Sequence, residues 1–353
     1  MRLPNVGARP YAAGMKNQTD PGDGPPSPDP PSPGGKPPGG QLTPHDSIFR
    51  QIFGVPENAA SQLRAVLPPG LAVRLDLSRL AQVPASFVDE ALKWRYSDLL
   101  FTVPLEGRDA FVYVLVEHQS SNDALMAFRM LRYVTRIWDR YLRDRPRARQ
   151  LPAVIPLVVH HGSGRWSGRA QLLDLIDLDP VAREAMQAYL PRFEYLLDDL
   201  AATDGGQLRD RELTPSALIA LLLLKTAPGN PRIPTELRPW ADQLRAVLDQ
   251  PGGGEAFLAL LTYIELVSEA SASELRDLVS SLGPDAEEAY MTTAEMLRAE
   301  GQAKSVLRIL KNRGIPVDAH SHNRIITCTD VETLDTWLDR SLTVSKVTDL
   351  FAN

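Results

Sequence analysis

The apolar positions of the chain keep a helical spacing at first, change to short strand-like runs, and then return to helical spacing up to the carboxyl terminus. Ile48, Phe49, Ile52 and Phe53 fall on one face of a helical wheel. Thr43 suits an N-cap, Pro44 the first helical position and Asp46 the positive end of the helix dipole, so the spacing predicts a first helix starting there. Gly54 and Pro56 end it, and Glu57 to Leu67 predicts a second helix before the Pro68-Pro69-Gly70 break. Residues 71–96 carry no decisive pattern. From Ser97 the apolar residues come in runs rich in Val, Leu, Phe and Tyr. Asp98 to Val103 and Ala110 to Glu117, separated by Pro104 to Asp109, predict a β-hairpin. A helix from Ala124 to Arg143 and a buried strand from Ala153 to Val159, the latter despite Pro156, are expected next. Beyond residue 200 the period is helical. Thr214-Pro215 starts an apolar helix to Lys225, Ser271 with Glu274 makes a capping box, and an amphipathic segment runs from Ala286 to Asn312. The predicted fold class is α/β, with a central mixed sheet flanked by helices over residues 42–200 and an all-helical region over 201–353.

Composition narrows this picture at the amino terminus. Residues 1–41 hold 11 of the 30 prolines and 8 of the 23 glycines. With almost no large apolar side chains after Tyr11, they cannot offset the entropy of ordering and are expected to form a disordered tail. Met15 lies inside this tail as an alternative start. The single cysteine, Cys328, excludes an internal disulfide or a Cys-rich zinc site and suits a reducing compartment. No stretch reaches the roughly 18 to 20 apolar residues of a membrane span, and no secretory signal pattern opens the chain, so a cytoplasmic location is expected. A net charge of -6 argues against non-specific coating of nucleic acid, which needs many Lys and Arg, but not against a local basic surface.

The hairpin carries the candidate chemistry. A turn about Gly107-Arg108 pairs Glu106 with Asp109, so that facing positions sum to 215 and Asp98 stands opposite Glu117, with Gln119 on the same face by alternation. A bulge or a slip in the turn breaks this count. Two facing carboxylates repel, and burial makes their charged forms worse, unless one is protonated or a cation lies between them. A hard divalent ion such as Mg²⁺ resolves the conflict, since it favours one or two carboxylates together with waters and phosphate oxygens. The plainer alternative is that both residues end their strands in solvent.

Several strings read together sharpen the choice. They are Pro44-His45-Asp46-x-x-Phe49, Tyr96-Ser97-Asp98-Leu99-Leu100-Phe101, Val116-Glu117-His118-Gln119-Ser120-Ser121, Met126-x-Phe128-Arg129-Met130-Leu131-Arg132-Tyr133, and Leu151-Pro152-x-x-Ile155-Pro156-Leu157-Val158. In this order, from about residue 44 to 166, they resemble the Rpn family of recombination-promoting nucleases, also described as transposase-like. The helical region beyond supplies no motif. The resemblance implies a PD-(D/E)xK core that cuts DNA with Mg²⁺, for which Mn²⁺ can substitute. It maps Asp98 and Glu117 onto the metal carboxylates and puts Gln119 where the wider superfamily usually carries Lys. Glutamine can orient an attacking water but brings no positive charge to the developing phosphorane. Asp46 has two readings, the carboxylate that the superfamily often places on its first core helix or a simple capping residue. His45 reads as a positioning or capping residue and His118 as facing away from Glu117, while His160-His161 reads as structural.

Arg129, Arg132, Arg136, Arg140 and Arg143 share one face of the helix after the hairpin, and residues 124–150 carry eight Arg against Asp139 and Asp144. A solvated helix face is the bland reading. Beside a phosphodiester site, contact of Arg129, Arg132 and Arg136 with the DNA backbone is the sharper one, with low sequence specificity because no element suggests base reading. The function expected from the sequence is therefore a Mg²⁺-dependent DNA endonuclease, with self-association left open. The alternatives are a transposase joining DNA ends, and a non-catalytic DNA-binding or assembly protein that keeps the fold.

Overall fold

A computed structural model describes residues 43–83, 99–117, 123–162 and 164–351 of the chain, the side chains of 113–117, 292–298 and 300 excepted. The expected disordered tail thus lies outside the described residues. The first helix, α1 (Pro44–Phe53), opens as its sequence dictates. The Thr43 hydroxyl accepts from the Asp46 backbone N–H at 3.2 Å, and the Asp46 carboxylate accepts from the Thr43 N–H at 3.2 Å, which closes a capping box. Its apolar face is buried, with the Phe49 and Phe53 rings stacked at 4.4 Å. Then follow α2 (Pro56–Val66), the single turn α3 (Pro69–Ala72) and the two-residue strand β1 (Ala81–Gln82).

The hairpin joins β2 (Leu99–Leu105) to β3 (Arg108–Glu117). Its turn is Glu106-Gly107, both residues having positive φ (49° and 79°), which is the backbone of a primed two-residue turn matching the twist of the strands. The register runs from Leu105↔Arg108 to Leu99↔Val114, so facing positions sum to 213 and not to the 215 expected from a turn at Gly107-Arg108. The physical reason is that Gly107 takes the second central position of the turn and not the first, which frees Arg108 to begin the strand. A change of two in the sum leaves the inside-outside alternation intact and moves every partner along by two residues. The expected facing of Asp98 and Glu117 therefore does not follow from this turn, and Asp98 itself lies outside the described residues.

Helix α4 (Met126–Asp144) carries the chain over the sheet to β4 (Ala153–His160), which pairs in parallel with β3 from Ala110↔Ala153 to Glu117↔His160. Strand β5 (Leu196–Asp199) follows the helix α5 (Pro180–Met186) and adds in parallel to β4, but only from Leu157 onward. Pro156 thus stands at the last position where one edge of β4 is open, which reconciles a proline with an internal strand. The sheet order is β1-β2-β3-β4-β5, mixed as expected. The remaining helices are α6 (Gly205–Arg209), α7 (Pro215–Thr226), α8 (Ile233–Leu237), α9 (Ala241–Leu248), α10 (Gly253–Val267), α11 (Ala272–Leu282), α12 (Pro284–Asn312), α13 (Ala319–Ile326) and α14 (Val331–Ser341). Among the described residues no helix is long and apolar enough to cross a membrane.

The two sheet faces bury different partners. Leu99, Phe101, Val103, Ala110, Val112, Leu157 and Val159 join α1, α2, α7 and α10 in one core that runs from Ile48 to Ala286. Helix α7 is buried on every side from Ser216 to Leu224, which is why its sequence is apolar without a polar stripe. Leu100, Phe111 and Val158 face the other way, onto Met126, Met130, Tyr133 and Ile137 of α4. A third cluster, from Ala299 to Leu350, joins α12 to α13 and α14.

One buried ion pair ties β5 to this framework. Arg211 grips Asp198 through two hydrogen bonds of 3.0 and 2.9 Å, and Gln62 of α2 donates a third at 3.2 Å. The Asp198 side chain is 1% exposed, so its charge depends on these donors. Arg211→Met is expected to cost about 3–5 kcal/mol in a denaturant titration, the usual consequence of stranding one partner of a buried pair. An unchanged midpoint would show that Asp198 is solvated without Arg211.

Candidate active site

Strands β3, β4 and β5 end side by side, and their register sets Glu117 beside His160 and His160 beside Asp199. This is the end of a parallel array, where the chain leaves the sheet and groups from several strands converge. Of the sequence-predicted site residues, Glu117 has its backbone placed here, as the last residue of β3. Asp98 and Gln119 lie outside the described residues, as does His118.

The amino terminus of α1 reaches the same end. The His45 ring lies 5.1 Å from that of His161, the residue after β4, and its Nδ1 is 2.7 Å from the Tyr263 hydroxyl of α10. His161 is tied in turn to α7, where its Nδ1 donates to the Leu224 carbonyl at 3.3 Å. His45, Asp46, His161 and Tyr263 are all buried. The Asp46 carboxylate closes the capping box of α1 from a buried position, 2% exposed. Burial raises the Tyr263 hydroxyl well above the usual tyrosine range, so it is a neutral hydrogen-bonding group at all ordinary pH.

On the α4 side of the sheet, His160 is 1% exposed. Its Nε2 lies 2.9 Å from the Gly164 carbonyl, which can only accept, so Nε2 carries the proton and Nδ1 presents a lone pair. Nδ1 is buried without a hydrogen-bond partner in the described structure. The ring meets Trp166 edge-on at 5.0 Å. Trp166 in turn donates its backbone N–H to Asp199 and its indole N–H to Tyr195, both at 2.9 Å. Burial pushes the Tyr195 hydroxyl up to about 12, against a smaller lowering by the Trp166 hydrogen bond.

The arginine stripe of α4 is split by its neighbours. Arg129 is largely enclosed, with its side chain 14% exposed, and pairs with Asp123 at 2.7 Å. Arg132 and Arg143 are exposed, and Arg136 is half-buried. Arg140 pairs with Asp144 at 3.0 Å, and beyond the helix Arg145 lies over the Tyr141 ring at 4.5 Å and pairs with Asp109 at 3.3 Å. Of the three arginines expected at DNA, Arg132 is the most open to a partner and Arg129 the most committed within the fold.

Sequence reasoning missed Tyr263, which gives no local signal inside an apolar helix. It read the His160-His161 pair only as structural, and gave no weight to Asp198 and Arg211, whose pairing spans a loop and a strand too short to stand out by pattern. Among the described residues, no group of three or more His, Cys, Asp or Glu side chains comes together as a metal cage.

Comparison with known proteins places the chain. Residues 43–251 match a family described as "putative transposase, YhgA-like". Recombination-promoting nuclease RpnD of Escherichia coli O157:H7 is 32% identical over 260 residues, which cover 72% of this chain and 94% of that protein. Recombination-promoting nuclease RpnA of Escherichia coli K12 is 29% identical over 280 residues, 78% of this chain and 91% of the relative. A protein of the same strain named inactive recombination-promoting nuclease-like protein RpnE is 31% identical over 262 residues, 73% and 83% of the two chains. No solved structure matches significantly.

The Tyr195 environment can be checked by alkaline titration. Its folded pKa is raised above the ordinary 10, so the stability linked to its neutral form is complete below pH 10 and is lost as pH climbs through about 12. In the difference between wild-type and Tyr195→Phe phenolate absorbance, the missing titration is expected near pH 12. A missing step near pH 10 would show that the hydroxyl is solvated.

Proposed function

The chain belongs to the YhgA-like transposase family, whose relatives include recombination-promoting nucleases, and from that premise we propose that it is a divalent-metal-dependent DNA endonuclease with a PD-(D/E)xK site. The observation that carries this reading is the end of β3, where Glu117 closes a strand in parallel register with β4 while the buried amino terminus of α1 approaches from the other sheet face. The proposed donors are carboxylates and an amide, an all-oxygen set suited to Mg²⁺ or Mn²⁺, and the chain's one cysteine is far along the sequence at Cys328. By donor chemistry the residues fit the ion.

Asp98 and Glu117 would hold it. When bound, such an ion neutralises charge at the scissile phosphate and acidifies a water. Gln119 would orient an attacking water through its amide, and Asp46 is the candidate for a further carboxylate on the first helix. Exposed Arg132 and half-buried Arg136 grip backbone phosphates along α4, while Arg129, fixed by Asp123, lends its charge from within. Contacts of this kind read no bases, so cleavage has low sequence specificity, in keeping with a cytoplasmic enzyme acting on DNA generally.

Plasmid nicking tests the reading. Asp98→Ala and Glu117→Ala are each expected to reduce Mg²⁺-dependent nicking by at least about a hundredfold, a loss of order 3 kcal/mol in transition-state stabilisation. Unchanged activity in both would show that these carboxylates are not the catalytic pair. Arg132→Glu is expected to weaken DNA binding on every sequence alike and to lower the salt dependence of log K by about one unit per contact, with thermal stability unchanged. Equal affinity would remove that role. The second reading, a DNA-binding or assembly protein that keeps the fold without activity, draws support from the relative named inactive. Failure to bind Mg²⁺ or Mn²⁺ in calorimetry would favour it.

A further inference from the structure

The hydrogen bond between His45 and Tyr263 joins residues 218 apart in sequence, and both partners are buried. It is not needed to start α1, since Thr43 and Asp46 already close the capping box. Nor does packing need the hydroxyl, because a phenylalanine fills the same space without a polar atom to desolvate. A buried hydroxyl gains little net stability from its hydrogen bond but constrains direction strongly, because any other orientation leaves it unsatisfied. His45 precedes Asp46, and its ring lies 5.1 Å from and tilted to that of His161, the residue following the β4 position in register with Glu117. The Nδ1 atoms of both histidines are engaged from the carboxyl-terminal helices, His45 by Tyr263 of α10 and His161 by Leu224 of α7. Tyr263 also lies beyond residue 251, where the match to the family ends.

We infer that Tyr263 is a positioning residue for the nuclease reaction: its hydroxyl sets the His45 ring and, through it, the seat of the α1 amino terminus against His161, the residue after β4. This rests on the nuclease reading. It gives the helical region a share in the active site although it touches neither substrate nor metal. The role is transmitted through His45, so the two residues act as one unit.

The test is a double-mutant cycle on the full chain, with Tyr263→Phe, His45→Ala and the double variant compared for plasmid nicking in Mg²⁺ and for thermal midpoint. Tyr263→Phe is expected to lower kcat about tenfold with KM for DNA unchanged, and to cause no further loss in the His45→Ala background. Wild-type kcat in Tyr263→Phe, or losses that simply multiply in the double variant, would overturn the inference. So would a Tyr263→Phe protein that melts below the assay temperature, since the hydroxyl would then serve folding. A second readout is independent of activity: the ring-nitrogen NMR shifts of His45 are expected to report one tautomer in the wild type and an average in Tyr263→Phe. If the wild type fails to nick DNA with any divalent ion, it is the nuclease reading that fails. The ring-nitrogen shifts then decide this inference alone, and a His45 tautomer unchanged by Tyr263→Phe overturns it.

Discussion

The parallel pairing of β3 with β4 is the constraint on which the candidate site depends. Eight consecutive partners, Ala110↔Ala153 to Glu117↔His160, fix the longitudinal position of Glu117 relative to the histidines that follow. A slip of one residue would exchange the two faces of β4, sending Leu157 and Val159 out of the core they share with α1 and α7 and His160 into it. Hydrophobic burial thus enforces a polar alignment. The strands are apolar along most of their length and polar only where they end, so the register that fills the core also gathers Glu117, His160 and Asp199 in one row.

Around this row, groups on both sheet faces are tied to other parts of the fold. On one, Asp198 is locked by Arg211 and Gln62, and His45 and His161 are tied to α10 and α7. On the other, Trp166 spans Asp199 and Tyr195 while His160 leans on its ring. Burying such groups unpaired is costly, and Asp198, His45 and His161 each find a partner on a distant element. Helices α7 and α10 are therefore packed into the same core as the sheet, which holds β2, β3 and β4 and continues to Ala286.

The arginine stripe shows how tertiary structure sorts like residues into different tasks. Five arginines share a helix face by sequence, yet Asp123 captures Arg129, Asp144 captures Arg140, and Arg132 is left exposed. Local acidic residues spread through the basic segment reduce its effective charge where they pair, so the surface offered to a phosphate backbone is narrower than a charge count implies.

Sequence alone determined the elements whose signals are local. The capped start of α1 was legible because Thr43, Pro44 and Asp46 act within one turn, and the strands and α4 because apolar periodicity reports the face each element must bury. The family motifs were legible for the same reason, being short contiguous strings. The hairpin register was not, since a one-residue difference in the turn depends on whether Gly107 stands first or second in it, and positive φ at Glu106 leaves no mark in composition. Only the tertiary structure decided which distant groups meet. Tyr263 on His45, Arg211 on Asp198 and Leu224 on His161 join segments that no periodicity connects, because such pairs are chosen by the packing of whole elements in space and not by spacing along the chain.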